Sequence, residues 1–345
     1  MARARVEAGW RALSLRRGLA AHLLLPLAWL YGALLAARRR AYQSGRRQTT
    51  RLPVPVVVVG NVVVGGAGKT PTTIALVEHL KARGWRPGVV SRGHGRADAV
   101  PLAVQADSDP AHSGDEPLLI RRATGVPVWV GRARADAAAA LLRAHPEVDL
   151  IVCDDGLQHW ALASDLRVAV FDERGLGNGW LLPAGLLREP WPCTDAPRAP
   201  QLVLQQAPDG APAPAALPGG LPSFQARRAL ARHAVNARGE RVALDALADQ
   251  PVTAVAGIAR PEAFFDMLRG RGLRLAATLA LGDHADAGAL ARAVDRAAGA
   301  VLCTEKDLVK LIGTARADLW AVPLVLDVDP AFFAAVDERL GAPRA

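Results

Sequence analysis

The residues with the clearest chemistry lie between Val54 and Leu80, in the sequence VPVVVVGNVVVGGAGKTPTTIALVEHL. Its Gly-Lys-Thr end is typical of phosphate-binding loops with the pattern G-x-x-x-x-G-K-[ST], although Val63 occupies the position of the leading glycine. Glycines just inside the loop let consecutive backbone N–H groups turn toward an anion at a helix N-terminus. The segment predicts a nucleotide-phosphate site formed by Val63, Val64, Gly65, Gly66, Ala67, Gly68, Lys69 and Thr70.

Acidic residues elsewhere supply the rest of a phosphoryl-transfer site. We expect the Lys69 ammonium at the β- and γ-phosphates and the Thr70 hydroxyl on Mg²⁺. In DLIVCDDGLQH, Asp154 and Asp155 follow an apolar strand, where P-loop proteins carry a metal-binding acid. A solvated pair of loop carboxylates is the plainer alternative. Asp115 and Glu116, in HSGDEPLLI, are on their own better explained as acids at a helix N-terminus.

Alternating strands and helices must position these residues. From Pro53 onward, short apolar runs alternate with helix-like stretches, which favours a parallel sheet covered by helices on both faces. We therefore predict an α/β fold with a P-loop NTPase-like parallel sheet domain. Its predicted strands are 54–59, 86–91, 126–130, 149–154, 166–171 and 201–205, and its predicted helices are 72–83, 117–124 and 133–144.

A change in composition marks the second half of the chain. The Pro/Gly/Ala-rich stretch 207–222 predicts a linker, and a turn at 236–239 predicts a two-stranded ribbon. Strands expected at 252–256, 273–279, 300–304 and near 322–328, with helices at 261–271 and 287–297, predict a smaller second α/β domain. The expected units are 1–40 (N-terminal helix), 41–206 (P-loop core), 207–250 (linker and ribbon) and 251–345 (smaller domain).

The N-terminal run GLAAHLLLPLAWLYGALLAA, residues 18–37, contains no Asp, Glu, Lys or Arg, and arginines flank both ends. Its length matches a membrane span, but His22, Pro26 and two basic flanks argue against one. A cleaved signal peptide fits poorly with the arginines that follow the run and with ATP chemistry downstream. A buried core helix is a further alternative. We favour a membrane-associated helix on the cytosolic leaflet, with its arginines at anionic headgroups.

Bulk composition limits the class of protein. A chain of 345 residues forms one large or two ordinary domains, and 51% hydrophobic residues support a packed core. The net charge of +9 suits nucleic acid, an anionic membrane surface or a phosphorylated substrate equally. The cysteines Cys153, Cys193 and Cys303 form no C-x-x-C pair. A zinc cluster or disulfide framework is therefore disfavoured, and a reduced cytosolic compartment fits best.

Two other P-loop classes compete with a metabolite kinase. The sequence DERG at 172–175 resembles the D-x-x-G of GTPases, whereas TEKD at 304–307 has its lysine one place away from the [NT]-K-x-D position. Guanine specificity is therefore poorly supported. A switch ATPase of the partitioning type normally carries its membrane helix at the C-terminus, whereas the apolar helix comes first here. The residues alone indicate a P-loop phosphotransferase or ATPase near a membrane.

An ordered series of motifs resembles one family. The chain contains, in this order, GNVVVGGAGKTP, VVSRGHGR, GDEP, DDGLQH, GLGNGWLLPAGLLREP, VAGIARPEAFFDMLRGRG, LGDHADAG and TEKDLVKL. Together they resemble the tetraacyldisaccharide 4′-kinase family of lipid A biosynthesis, from the N-terminal helix to about Leu311. That family usually has Thr or Ser at the position of Val63, so the missing leading glycine is normal for it.

The resemblance implies transfer of the ATP γ-phosphate to the 4′-hydroxyl of a tetraacylated glucosamine disaccharide 1-phosphate, with ATP and Mg²⁺ as cofactors. This lipid A disaccharide precursor lies in the cytosolic leaflet of the inner membrane. The implied location is therefore the cytosolic face of the bacterial inner membrane, as a peripheral or monotopic protein. No nucleic acid and no obligatory protein partner are expected. The alternative is a membrane-associated switch ATPase that acts on a protein partner.

The resemblance also implies roles for single residues. Asp115 corresponds to the proposed base toward the acceptor hydroxyl, and His284 corresponds to its histidine partner, so the two domains would have to close over the substrate. Lys69 would act on the transferred phosphate. Glu116, Asp154 and Asp155 would hold Mg²⁺ directly or through water. The family commonly has a second histidine and an aromatic residue after His284, which this chain lacks in DHADA.

Three further positions carry weaker expectations. Arg188 is expected at a substrate or nucleotide phosphate, and an ion pair with Glu189 is the equally weighted alternative. Asn178 is expected either at the substrate or as the residue that fixes the turn of GLGNGW. Glu305 and Lys306 follow a predicted strand, which is where ligands bind in α/β sheets.

Overall fold

The structure is a computed structural model that describes residues 9–10, 12–93, 100–193, 198–283, 285–311, 314 and 316–343. Within these ranges the strands form a larger and a smaller sheet. In chain order the strands are β1 Val56–Gly60, β2 Pro87–Ser91, β3 Leu102–Val104, β4 Val128–Val130, β5 Leu150–Asp154, β6 Leu166–Phe171, β7 Leu202–Pro208, β8 Ser223–Leu230, β9 His233–Val235, β10 Arg241–Ala243, β11 Val252–Ala256, β12 Leu275–Ala280, β13 Ala300–Thr304, β14 Leu319–Val322 and β15 Leu324–Val328.

Helices connect most of these strands, and the predicted α/β fold class is confirmed. The helices Leu19–Leu23 and Leu25–Gln43 precede β1, and a phosphate-loop helix follows it. The helices are Leu19–Leu23, Leu25–Gln43 (the N-terminal helix), Lys69–Ala82 (the phosphate-loop helix), Pro110–Ser113, Asp115–Thr124, Arg134–Ala144, Pro261–Gly270, Ala287–Arg296, Glu305–Leu308 and Pro330–Leu340 (the C-terminal helix), with a 3₁₀ turn at Leu244–Leu247.

The larger sheet places the ends of β1, β5 and β6 side by side. Its order in the described chain is β15-β8-β7-β6-β1-β5-β2-β4-β3. Val57 of β1 is paired in parallel with Val152 on one side and with Leu166 on the other. Ligands of parallel α/β sheets bind at the carboxyl ends of the strands. The loops after these three strands therefore form one candidate binding edge.

The Val-rich sequence of β1 is explained by burial on both faces of the sheet. Val57 and Val59 pack on one face with Leu76 and Leu80 of the phosphate-loop helix. Val56 and Val58 pack on the opposite face, in the same core as the helix Arg134–Ala144. Each fully buried aliphatic side chain contributes about 1.5–3 kcal/mol by leaving water. The central strand is thus fixed from both sides, and with it the start of the loop that follows.

The smaller sheet has the order β10-β9-β14-β13-β11-β12. The predicted ribbon is present, because β9 and β10 pair in an antiparallel register that joins Val235 to Arg241. The strand expected near 322–328 is instead two strands, β14 and β15, separated by Pro323. Proline has no N–H to donate to a ladder, so the chain leaves one sheet there and enters the other.

The division into units at residues 207 and 251 stays a prediction, but sheet membership crosses both boundaries. Strand β8 pairs with β7 of the larger sheet, and β15 pairs with β8 in a register that joins Leu324 to Leu230. The C-terminal helix also packs on the larger sheet, with Phe332 and Val336 in its core. The change in composition after residue 206 therefore marks a surface loop and no change of sheet.

The N-terminal apolar run is divided into two helices at Leu24. No helix among the described residues is both long and apolar enough to cross a bilayer. Ala28 is buried against the rest of the protein. The opposite side carries an exposed stripe in which each side chain is at least 54% exposed, formed by Leu19, Leu23, Leu27, Trp29, Leu30 and Leu34. Association of this helix with a membrane stays a prediction.

Candidate active site

The loop between β1 and its helix has the shape that phosphate binding requires. Gly65 and Gly68 have φ values of +97° and +77°, which favour glycine. Gln206 Nε2 donates to Gly68 O at 2.9 Å and to Thr72 Oγ1 at 2.6 Å. A Cβ on Gly68 would lie only 1.9 Å from Gln206 Oε1. The turn into the helix is therefore fixed by contacts with a protein side chain.

Val63 replaces the usual leading glycine because this part of the loop is extended and buried. Its side chain is fully buried, and it forms an antiparallel bridge with Leu187. The neighbouring backbone continues the pairing, since Val64 N donates to Leu186 O at 2.9 Å and Arg188 N donates to Val62 O at 2.7 Å. An extended valine needs no positive φ. The missing glycine thus leaves the phosphate-facing part, Gly65 to Thr70, unchanged.

Asp154 and Asp155 lie at the end of β5, and their environments differ. Asp154 is fully buried and accepts a hydrogen bond from Thr73 Oγ1 at 2.9 Å. Burial, with added repulsion from Glu116 and Asp155, raises the pKa of Asp154 to about 7. Together with Asp155 it supplies two carboxylates at the edge of the sheet where the phosphate loop lies.

Asp155 faces the cations of the site. Its φ of +49° is the only positive value at a non-glycine residue in the described part of the chain. Its Oδ1 lies 3.7 Å from Lys69 Nζ and 3.2 Å from Arg188 Nη1. Burial alone would raise the pKa of Asp155, but Lys69 and Arg188 outweigh it and lower that pKa. Asp155 therefore stays ionised between two cations.

Asp115 and Glu116 begin the helix Asp115–Thr124 and meet lysines from the smaller sheet. Lys310 Nζ lies 3.0 Å from Asp115 Oδ2, and Lys306 Nζ lies 3.0 Å from Glu116 Oε1. Burial alone would lower the pKa of Lys306, but Glu116, Asp115 and Asp283 outweigh it and raise that pKa to about 12. The proposed base and its neighbour are thus joined to the smaller sheet by charge.

His284, the expected partner of Asp115, lies outside the described residues. The residues on either side of it contact the same two lysines. Asp283 Oδ1 is 4.0 Å from Lys306 Nζ, and Ala285 O accepts a hydrogen bond from Lys310 Nζ at 3.1 Å. The role of His284 stays a prediction.

One cleft of about 1200 Å³ lies between the two sheets. It is lined by the phosphate loop and by Asp115, Glu116, Asp155, Arg188 and Lys306. The N-terminal helix forms part of its wall through Tyr31, Leu35 and Arg38. The Tyr31 hydroxyl donates to Arg188 O at 2.8 Å, and Arg38 Nη2 donates to Gln158 O at 2.9 Å. Leu27, Leu30 and Leu34 of the exposed stripe lie on the same helix. The cleft and the apolar surface are therefore adjacent.

One side of the cleft is positively charged. This basic wall consists of Arg92, Arg132, Arg134 and His159. Burial, with repulsion from Arg134, Arg38 and Arg92, lowers the pKa of His159 to about 4, so the imidazole is neutral near pH 7. The buried Arg134 donates from Nη2 to Asp155 O at 3.2 Å. Such an arrangement suits an anionic group.

Comparison with known proteins assigns the chain. The family described as Tetraacyldisaccharide-1-P 4′-kinase matches residues 20–341. A protein of Acidovorax sp. named tetraacyldisaccharide 4′-kinase is 53% identical over 339 residues, which cover 98% of this chain and 95% of the relative. A protein of the same name from Polaromonas sp. is 52% identical over 331 residues, which cover 94% of each chain. This chain belongs to the tetraacyldisaccharide-1-P 4′-kinase family.

A solved structure agrees with this family assignment. The crystal structure of LpxK from Aquifex aeolicus in complex with ATP matches with a TM-score of 0.77 at 27% sequence identity. The match covers 93% of this chain and 100% of the Aquifex chain. The predicted family and the predicted α/β class are both confirmed. Membership of this kinase family favours the lipid kinase over the switch ATPase.

A kinase of this family is expected to use Mg²⁺, and the residues present fit such an ion. Glu116 and Asp155 both repel the buried carboxyl of Asp154, and a divalent cation would relieve that repulsion. Among the described residues, no group of three or more His, Cys, Asp or Glu is arranged to hold a metal. Mg²⁺ typically takes one or two carboxylates and completes its shell with phosphates and water. Asp154, Asp155 and Thr70 are the expected holders, with Glu116 nearby.

The contacts of Arg188 and Asn178 bear on two further expectations for the kinase. Arg188 does not pair with Glu189, whose Oε1 accepts a hydrogen bond from Gln158 Nε2. Arg188 instead faces Asp155 in the cleft, which keeps it a candidate phosphate ligand. Asn178 is buried and does not line the cleft, since its Nδ2 donates to Ala184 O at 2.8 Å and its Oδ1 accepts from Trp180 N at 3.0 Å. Asn178 therefore fixes the turn, and its contact with the substrate stays a prediction.

Sequence reasoning missed residues that support the site of this kinase. Lys310 has a signal in hindsight, because it stands four residues after Lys306 in TEKDLVKL and so shares its helical face. Gln206 has none, because an isolated glutamine in a strand forms no motif. Its role depends on β7 ending beside the phosphate loop, which only the sheet order reveals.

Proposed function

We propose that this protein transfers the γ-phosphate of ATP to the 4′-hydroxyl of a tetraacyldisaccharide 1-phosphate at the cytosolic face of the inner membrane. One observation carries the proposal. Asp115 shares a single cleft with Lys69 and the phosphate loop, while the smaller sheet supplies Lys306 and Lys310 to the same carboxylates. A base, a phosphate cradle and a closing element are thus combined.

The reaction proceeds by direct transfer. The backbone N–H groups of the phosphate loop bind the ATP phosphates, and the Lys69 ammonium neutralises charge on the γ-phosphate. Mg²⁺, held through Asp154, Asp155 and Thr70, supplies further positive charge there when bound. Asp115 accepts the proton of the acceptor hydroxyl. The hydroxyl oxygen forms a bond to the γ-phosphorus as the bond between that phosphorus and ADP breaks. Lys306 and Lys310 contact the carboxylate of Asp115 and fix its position in the cleft.

The basic wall supports an acceptor that carries a phosphate of its own. Arg92, Arg132 and Arg134 face the cleft, and the neutral His159, whose Nε2 accepts from Arg134 N at 3.3 Å, can donate a hydrogen bond from Nδ1. Arginine binds phosphate in a bidentate manner and is weakly hydrated, which favours contact with a phosphate monoester. We assign this wall to the 1-phosphate of the disaccharide.

The N-terminal helix supports binding at a lipid surface. Its exposed leucines project from the protein on the side away from Ala28. Arginines precede the apolar run at Arg16 and Arg17 and follow it at 38–40. An apolar stripe with basic ends is typical of helices that lie in the headgroup region of an anionic bilayer. An acceptor held by its acyl chains there would enter the adjacent cleft with its sugar.

The test is transfer of label from γ-³²P-ATP to tetraacyldisaccharide 1-phosphate in detergent micelles containing Mg²⁺. Wild type and Lys81→Ala should both label the lipid, because Lys81 pairs with Glu78 on the surface of the phosphate-loop helix. Lys69→Ala should label none while remaining folded. Phosphate release without labelled lipid would instead support a switch ATPase. Labelled lipid from Lys69→Ala at the wild-type rate would contradict the assignment of the loop.

A further inference from the structure

We propose that Arg260 binds the phosphates of ATP, and that Glu173 and Asp172 hold the Arg260 side chain away from that position until the nucleotide binds. This inference rests on the proposed binding of ATP at the phosphate loop. It concerns the Arg260 cluster, which consists of Asp172, Glu173, Arg174, Arg228 and Arg260.

The acidic part of the cluster lies beside the phosphate loop. Strand β6 pairs with β1 through Ala169 and Gly60, so Asp172, directly after β6, lies at the edge where the loop begins. Asp172 is fully buried and binds Arg174 Nε through both of its oxygens, at 3.0 and 2.8 Å. Arg174 Nη1 donates to Val64 O of the loop at 3.0 Å. Asp172 and Arg174 are thus a fixed support of the loop.

Arg260 comes from the smaller sheet and contacts the same acids. It follows β11 and directly precedes the helix Pro261–Gly270. Arg260 Nη1 lies 3.4 Å from Asp172 Oδ2 and forms an ion pair with Glu173 Oε1. Its neighbour Ala259 would be 3.6 Å from a Cβ placed on Gly66. The loop that carries Arg260 therefore lies on the glycines that face the phosphates.

The two arginines that share Asp172 differ in their freedom to move. Arg174 is held by Asp172 and by Val64 O, and its side chain is 16% exposed. Arg260 is 34% exposed, lines the cleft and contacts one oxygen of each acid. Release of Arg260 leaves the buried Asp172 with its charge partner, which avoids the large cost of an unpaired buried charge. Arg260 is therefore the arginine that can leave the cluster while Asp172 stays paired with Arg174.

The charges of the cluster indicate that Arg260 would move from Glu173 to the phosphates when ATP binds. Three arginines meet two carboxylates in this cluster, so the cluster carries an excess positive charge before ATP arrives. The triphosphate would bring several negative charges to Gly65 and Gly66. Arginine binds phosphate by charge-assisted, often bidentate hydrogen bonds. The phosphates therefore compete with Glu173 for Arg260, while Arg228 keeps Glu173 paired.

The test is isothermal titration of ATP and ADP, with Mg²⁺, into the full chain. Arg260→Ala should weaken ATP binding by about tenfold or more, the scale of one lost charge-assisted hydrogen bond. Glu173→Gln should tighten ATP binding by about two- to fivefold, because Arg260 no longer has to leave a carboxylate. Combined with Arg260→Ala, Glu173→Gln should have no effect of its own. Glu262→Gln, an exposed charge at the start of the next helix, is the matched control and should match wild type.

The double-variant comparison separates this role from a merely structural ion pair. If the pair only joins the two sheets, Glu173→Gln and Arg260→Ala should both weaken ATP binding, and that result would overturn the proposal. Equal ATP affinities of wild type and Arg260→Ala would also overturn it while leaving the proposed function intact. A wild-type chain that binds no ATP would overturn both. Thermal unfolding of each variant identifies any that fails to fold, and Arg260→Lys then replaces Arg260→Ala with the same expected direction.

Discussion

Lys306 and Glu116 form an ion pair of 3.0 Å although 190 positions separate them along the chain. The pair joins the helix after β13 in the smaller sheet to a helix that packs on the larger one. Lys306 Nζ also lies 3.7 Å from Asp115 Oδ2. One lysine therefore holds both acids at the cleft, and it can do so only when the two sheets are close together.

Loss of this lysine should slow catalysis more than it weakens nucleotide binding. In Lys306→Ala the buried carboxylate of Asp115 and the half-buried carboxylate of Glu116 lose a counter-ion, which misplaces the proposed base. We expect turnover of the lipid acceptor to fall by about 10- to 100-fold, which is less than the roughly 10²- to 10⁴-fold that general-base catalysis contributes, because the base is misplaced and not removed. Steady-state rates at saturating ATP measure this. Lys306→Arg should recover part of the rate, and an unchanged turnover in Lys306→Ala would contradict the assignment.

Two glycines with nearly the same backbone angle offer a matched test of the phosphate loop. Gly68 and Gly45 have φ values of +77° and +75°, but only Gly68 has an atom that blocks a Cβ, namely Gln206 Oε1 at 1.9 Å. Gly45→Ala should cost about 1–2 kcal/mol of unfolding free energy from backbone strain alone and leave ATP affinity intact. Gly68→Ala should also weaken ATP binding by at least about tenfold. Denaturant unfolding and ATP titration measure both effects, and equal ATP affinities would refute the preformed loop.

Asp154 should make the stability of the metal-free protein depend on pH. Its folded pKa of about 7 lies above its ordinary value of 3.8. The folded state therefore holds a proton that the unfolded state releases between those two values. The contribution of this group to the free energy of unfolding is complete below pH 3.8 and is lost as the pH rises to about 7. Above that pH the loss does not increase further. Asp154→Asn removes this loss and keeps an oxygen for the hydrogen bond from Thr73.

With a chelator present, Asp154→Asn should be more stable than wild type at pH 8 by about 1–3 kcal/mol, and the difference should shrink at pH 5. Added Mg²⁺ should stabilise wild type at pH 8 and have little effect on the variant. Denaturant unfolding at both pH values measures the two effects. A pH-independent difference between the proteins would show that the carboxyl does not titrate in this range.

The exposed leucine stripe should control membrane binding without affecting nucleotide affinity. Leu23→Glu and Leu30→Glu place charge on side chains that are 80% and 59% exposed. We expect flotation with anionic vesicles to fall at least about tenfold and the KM for the lipid to rise, while ATP affinity stays unchanged. Val100→Glu, at a 65% exposed position outside the helix, is the control. Point variants are preferable to deletion of the helix, because Tyr31 and Arg38 form part of the cleft. Normal flotation of both leucine variants would refute the anchor.

Much of the fold follows from local pattern. The strands Leu166–Phe171, Val252–Ala256 and Ala300–Thr304 have the predicted bounds, because short apolar runs between turn residues define buried strands well. The phosphate loop was predicted because its chemistry needs fixed neighbours at fixed spacing. Its helix begins at Lys69, three residues before the predicted start. The loop residues themselves provide that first turn.

The parts that could not be predicted depend on distant contacts. Periodicity identifies β15 as a strand but contains no information about which sheet it joins. The pairing of Leu324 with Leu230 follows from the packing of the C-terminal helix, and that packing joins segments far apart in the chain. The sequence did not indicate that Arg188 pairs with Asp155 at the end of β5, and its contact with a phosphate stays a prediction. Arg188 thus pairs with a residue that the sheet brings close to it, and not with the carboxylate next to it in the sequence.

The pairing of β8 with β15 also has a consequence for synthesis. The ribosome releases every strand of the smaller sheet, up to Val322, before the last strand of the larger sheet emerges. Until then β8 has an open edge, and the core around Phe332 and Val336 is exposed to solvent. The larger sheet is therefore begun first and completed last, and it exposes an edge and apolar core surface until β15 and the C-terminal helix have been made. A ribosome stalled directly after Val322 would leave a smaller sheet with all its strands beside an unfinished larger one.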